Sequence, residues 1–246
     1  MADEKLCATR RSLLAGMALV AGASTLPTRG KSEPAMNHVV LLGDSIFDNK
    51  AYVGDGPDVI AQLTQTLPAG WKATLHAVDG STTVTMKEQL GRLPKDATHL
   101  VVSTGGNDAL GSKQVIEEPA RSVGEALDKL ARIRAEFTKT YRALLGAVLA
   151  KKLPTVMCSI YDPRYDNQDE QRVASAGLTI FNDTITREVF ARGLPLIDLR
   201  LLFDDARDYA NPIEPSVQGG AKLARVIAKV VTTHDFTRQR SEVYVG

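Results

Sequence analysis

Five short apolar runs punctuate this chain, at residues 38–42, 71–78, 99–103, 155–160 and 194–199. Between them lie segments with apolar residues at helical spacing: 58–67, 83–93, 123–152 and 170–192, then a last one over 221–231 that begins near Pro215. Runs of Val, Leu and Ile this short and this continuous fit strands covered on both faces. Strands that alternate with helices build βαβ units, and those units build a parallel sheet. The predicted fold is a three-layer, doubly wound α/β domain on a five-stranded parallel sheet. Right-handed crossovers put every strand-to-helix loop on one edge of such a sheet, where open α/β sheets take their ligands. Ser45, Gly80, Asn107 and the start of the last helix all fall on that edge.

The first loop is the most pointed. His38 to Leu42 ends at Gly43, and Asp44 and Ser45 follow at once. The second run ends in Asp79-Gly80-Ser81 and the third in Thr104-Gly105-Gly106-Asn107-Asp108. Taken singly, a turn serine, a turn glycine and a turn asparagine are ordinary. Taken in order, Gly43-Asp44-Ser45, Gly80 and Gly106-Asn107-Asp108 resemble the motif blocks of the GDSL, or SGNH, hydrolases. The resemblance runs from about residue 38 to about residue 231. It implies a flavodoxin-like sheet of the SGNH type and an ester as substrate. It also implies Ser45 as nucleophile, with the backbone N–H of Ser45, the backbone N–H of Gly80 and the Asn107 carboxamide as oxyanion donors. The chemistry agrees: attack on an ester carbonyl makes a tetrahedral oxyanion that needs fixed donors. Glycine lets backbone approach closely, and an amide donates without titrating. The Gly-x-Ser-x-Gly elbow of the α/β-hydrolases is absent.

The last block of that family reads Asp-x-x-His-Pro. Here the corresponding stretch is Asn211-Pro212-Ile213-Glu214-Pro215, so Glu214 stands at the histidine position and Asn211 at the aspartate position. Of the four histidines, His38 and His99 open their strands at the far edge, His76 lies within the second run, and His234 follows the last helix. Glu214 is therefore expected as the base. Its reference pKa of about 4.3 is below the 6.5 of histidine, and burial can raise a catalytic glutamate to about 6–7. Asn211 would replace the orienting aspartate as its neutral partner. The plainer alternative has Glu214 facing solvent before a helix whose first turn holds Pro215. The site would then be a silent module that binds an acylated glycan or lipid. Asp44, Asp48 and Asn49 are expected to bond locally within the serine turn. Substrate contacts are expected at Asp44, Tyr161 and Asn211, with Arg164 as a candidate for an anionic group and Cys158 as core.

With 246 residues, 43% of them hydrophobic, the chain supports one α/β domain. A net charge of +1 leaves no electrostatic footprint for nucleic acid or anionic membrane. Aromatics at 5% advertise no stacking platform. Cys7 and Cys158 imply neither a disulfide framework nor a zinc site, and the implied chemistry calls for no cofactor and no metal. The expected partner is a small-molecule, glycan or lipid ester. At the start, Thr9-Arg10-Arg11-Ser12 leads into an Ala/Gly-rich run over 15–23 with Ala21-Gly22-Ala23 as a cleavage-like site, which looks like a twin-arginine export signal. That run is too short to span a bilayer, so no transmembrane anchor is expected in the mature chain. The expected organisation is a signal and linker over 1–35, the domain over 36–233 and a tail over 234–246, with a periplasmic or secreted product. A start at Met36 would make it cytoplasmic.

Overall fold

The computed structural model describes residues 36–246. The expected export signal over 1–35 lies outside the described residues. Strands β1 (Asn37–Leu42), β2 (Trp71–Leu75), β3 (His99–Val102), β4 (Thr155–Cys158) and β5 (Leu196–Ile197) pair in the order β2-β1-β3-β4-β5, all parallel. A hairpin of β6 (Tyr209–Asn211) and β7 (Glu214–Pro215) stands apart from the sheet, and β8 (Val243–Tyr244) joins it. The helices are α1 (Val59–Thr66), α2 (Met86–Gly91), α3 (Gly106–Gly111), α4 (Lys113–Glu117), α5 (Val123–Leu149), α6 (Gln168–Phe190), α7 (Leu199–Leu202) and α8 (Val217–Thr233).

The sheet is buried on both faces, which explains its unbroken apolar runs. Alternate residues of one strand feed different cores. Val39 and Leu41 of β1 pack with α1 and α8, and Val40 and Leu42 pack with α2, α5 and α6. Helix starts follow local capping: Asp58, Ser122 and Ser216 each accept a backbone N–H from the first turn that follows. Ser216 is the cap of α8, so Pro215 sits before that helix and not in its first turn.

Two departures from expectation matter. The sheet has six strands among the described residues, not five, because the expected tail returns. Val243 and Tyr244 pair with Leu196 and Ile197, through bonds from Leu196 N to Glu242 O and Asp198 N to Tyr244 O, both 2.9 Å. A two-residue pairing is too short to show a period in the sequence. Second, β2 ends at Leu75, three residues early. His76 and Ala77 both donate to Leu41 O and Val78 donates to Gly43 O, so this stretch runs along β1 into the serine turn. His76 is consequently a loop residue. No described helix is long and apolar enough to cross a membrane.

Candidate active site

Gly43 follows β1 in a conformation that only glycine fits: a Cβ there would strike the carbonyl oxygen of Ser103, just past β3. The buried Gln89 of α2 clamps this point. It accepts the Gly43 N–H at 2.9 Å, donates to Gly43 O at 2.8 Å and donates to Ser81 Oγ at 3.1 Å. Phe47 N and Asp48 N both bond Asp44 O at 3.1 Å, which closes the turn and leaves Ser45 half-buried at its tip. From there Ser45 Oγ donates to Glu214 Oε1 at 3.1 Å.

Glu214 arrives from the far end of the chain on the β6–β7 hairpin. Four anchors hold it. The buried Asp208 accepts Gln218 Nε2 at 2.9 Å and pairs with Lys222 at 2.7 Å, while its carbonyl takes Ser216 N–H at 2.8 Å. Ser216 Oγ donates to Arg207 O at 2.5 Å. Asn49, fully buried, donates to Pro215 O at 3.2 Å and accepts Val59 N–H at 2.9 Å. Tyr161 donates its hydroxyl to Ile213 O and stacks on Phe203. Asn49 thus ties the serine turn to the segment carrying Glu214, which corrects its expected local role. Asp48 also reaches beyond its turn, accepting Asp79 N–H at 3.0 Å.

No cation faces Glu214 among the described residues, and its Oε2 is buried without a hydrogen-bond partner. Burial pushes its pKa up to about 7; the Ser45 hydrogen bond opposes this and the Asp79 charge adds to it. Asp44 is pushed up to about 7 as well, by burial first and in part by the Glu214 charge, against the stabilising Ile46 N–H.

Asn107 lies on the first turn of α3. One amide hydrogen goes to Ser81 O at 2.9 Å, which fixes the carboxamide plane and leaves the other hydrogen for a ligand. Asp108 accepts from Thr83 N at 2.9 Å and from Thr83 Oγ1 at 3.0 Å, pinning the 79–83 turn to the start of α3. Gly80 has φ +76°, the left-handed region natural to glycine, and it is exposed just outside the cavity lining. Among the described residues, neither the Ser45 N–H nor the Gly80 N–H is taken by a protein acceptor. Ser45, Asn107 and Glu214 all border one cavity of about 440 Å³ between α3, α4 and α6.

The other candidates divide between the cavity wall and the surface. Asn211 is exposed, and its Oδ1 accepts Ile213 N–H at 3.0 Å. Its side chain therefore serves the hairpin turn and not Glu214 or the cavity. Tyr161 borders the cavity, with its hydroxyl already spent on the hairpin. Asp44 borders it as well. Arg164 is exposed outside the lining, and its backbone N–H bonds Pro212 O at 2.7 Å. Cys158 is buried and free in the core. His38 bonds Thr74 of the neighbouring β2, His99 packs between Trp71 and Phe236, and His234 contacts Tyr244. No histidine borders the cavity.

The family model of the GDSL-like lipase/acylhydrolase family matches residues 41–222. The chain belongs to that family. Its fold is also that of solved lipase and esterase structures. An extracellular lipase from Streptomyces rimosus is 16% identical over 82% of this chain and 100% of its own, with a TM-score of 0.58. An acetyl xylan esterase is 17% identical over 80% and 99%, with a TM-score of 0.59. An α/β hydrolase from the metagenome of Lake Arreo is 21% identical over 82% and 96%, with a TM-score of 0.56. No curated protein matches the sequence. Within this family frame, Gln89, Asp208 and Lys222 are supports that reading the motifs alone does not find.

Proposed function

We propose that this GDSL-family chain is a serine ester hydrolase in which Glu214 replaces the usual histidine as general base. Ser45 Oγ attacks the acyl carbonyl and passes its proton to the Glu214 carboxylate. The oxyanion is held by the N–H groups of Ser45 and Gly80 and the free hydrogen of Asn107. On collapse, protonated Glu214 gives its proton to the departing alkoxide, leaving the acyl group on Ser45. Water then enters, loses a proton to Glu214 and attacks the acyl-serine. A second collapse releases the acid, and Glu214 returns the proton to Ser45. The observation that carries this reading is the Ser45–Glu214 hydrogen bond, made to a buried carboxylate with no cation beside it. A glutamate tuned to about 7 accepts a proton nearly as well as an imidazole does.

A fluorophosphonate probe tests it. Labelling should fall on Ser45 and vanish in Ser45→Ala. A protein that binds acyl ligands yet resists labelling between pH 6 and 9 would instead be a silent binding module.

A further inference from the structure

The mechanism above divides the space around Ser45 in two, and the inference rests on it. The departing alkoxide must take its proton from Glu214, so the alcohol lies on that side. Residues there are polar: Tyr52 donates to Asp79 at 2.7 Å, and Asp79 N–H reaches Asp48. The oxyanion lies between Ser45 and Asn107. The acyl substituent is left to point away from Glu214, under α3 and α4 toward α6. That is where the cavity runs. Its wall there is Leu110, Ile116, Val173, Leu178 and Phe181. Away from the Ser45 end, the lining charges Lys113, Glu117, Asp169 and Glu170 are exposed, and Lys113 pairs with Glu170 at 3.2 Å and bridges α4 to α6.

We infer that this arm is an acyl-chain subsite for straight, medium-length acyl groups, roughly six to ten carbons, and that Gly177 sets its bore. At about 30 Å³ for a water-sized group, a cavity of about 440 Å³ holds far more than an acetyl. Gly177 lines the arm beside Ile116, and a Cβ on it would lie 3.3 Å from Ile116 Cδ1. A larger side chain at 177 would have to push Ile116 aside and take up space in the arm. Leu110, Ile116 and Val173 are 43%, 37% and 50% exposed at the mouth. An apolar ligand lying in the arm would cover that exposed surface.

Hydrolysis of p-nitrophenyl esters from acetate to dodecanoate tests this. Burial of each added methylene favours binding by up to about fourfold, so kcat/KM for octanoate should exceed that for acetate by at least about 100-fold. In Gly177→Leu the octanoate-to-acetate ratio should fall at least tenfold. A flat profile, an acetate preference or an unchanged ratio in Gly177→Leu overturns the subsite. Calorimetry of decanoate and acetate with Ser45→Ala reads the arm without catalysis. Decanoate binding alone supports the subsite even if no ester is cleaved, an outcome that would sink the hydrolase mechanism only. Silent heats for both acids overturn it.

Discussion

Glu188 on α6 and Glu214 on β7 are the same side chain at nearly the same exposure, 7% and 6%. Their surroundings differ. Burial raises the pKa of Glu188, yet Arg192 and Arg142, both bonded to it at 2.7 Å, bring it below the ordinary carboxylate range. Glu214 meets a hydroxyl at one oxygen and no partner at the other, and its pKa rises to about 7. The first arrangement holds α5 to α6. The second keeps a carboxylate ready to take a proton near neutral pH. Burial with paired arginines lowers a carboxyl pKa, and burial without a cation raises it toward neutral, where a general base works.

The contrast can be broken by experiment. The largest effect is expected from Glu214→Gln, which keeps the shape and removes the base: ester kcat/KM should fall by about 10²–10⁴, while urea unfolding shows a fold at least as stable near pH 8. Asp44→Asn comes next. Asp44 has a folded pKa raised to about 7 from an ordinary 3.8, so the native state holds its proton longer than the unfolded one. Stability therefore declines as pH rises from about 4 through 7 and stays low above it. Removing that buried charge should add about 1–3 kcal/mol at pH 8, raising Tm by about 3–8 °C, and should add little at pH 4. Glu188→Gln should do the reverse by a similar or smaller amount, about 1–2 kcal/mol. Its folded pKa is lowered, so that loss is complete above about pH 4.5 and fades as the pH falls through the folded value. Ester turnover by Glu188→Gln should match the parent within twofold. The smallest effect belongs to Asp79→Asn. Taking away one charge that raises Glu214 should move the activity midpoint toward acid by a few tenths of a pH unit, readable in a kcat/KM profile.

The parts of this contrast differ in how they could be read from the chain. Ser45, Asn107 and the alternating layers were legible because strand ends are marked locally by glycine and polar residues. Glu214 was legible through its register with Pro215 and the later Gly219. Its isolation from any cation was not, since that depends on which side chains the fold brings near. Gln89 bonds Gly43 across 46 positions and Asn49 bonds Pro215 across 166, with no pattern in either segment to announce it. Asn211 misled for the opposite reason: its motif position suggested a partner for Glu214, and a two-residue hairpin turn claimed its oxygen first. The apolar arm over α3, α4 and α6 exists only once three helices are packed.

The most direct test of the central claim is the rate of fluorophosphonate labelling at Ser45 across pH 5 to 9, in the parent chain and in Glu214→Gln. A base with a pKa of about 7 predicts a rate that climbs through that value in the parent and stays low and flat in the variant. A parent rate that ignores pH over this range, or a variant that labels as fast as the parent, would contradict it.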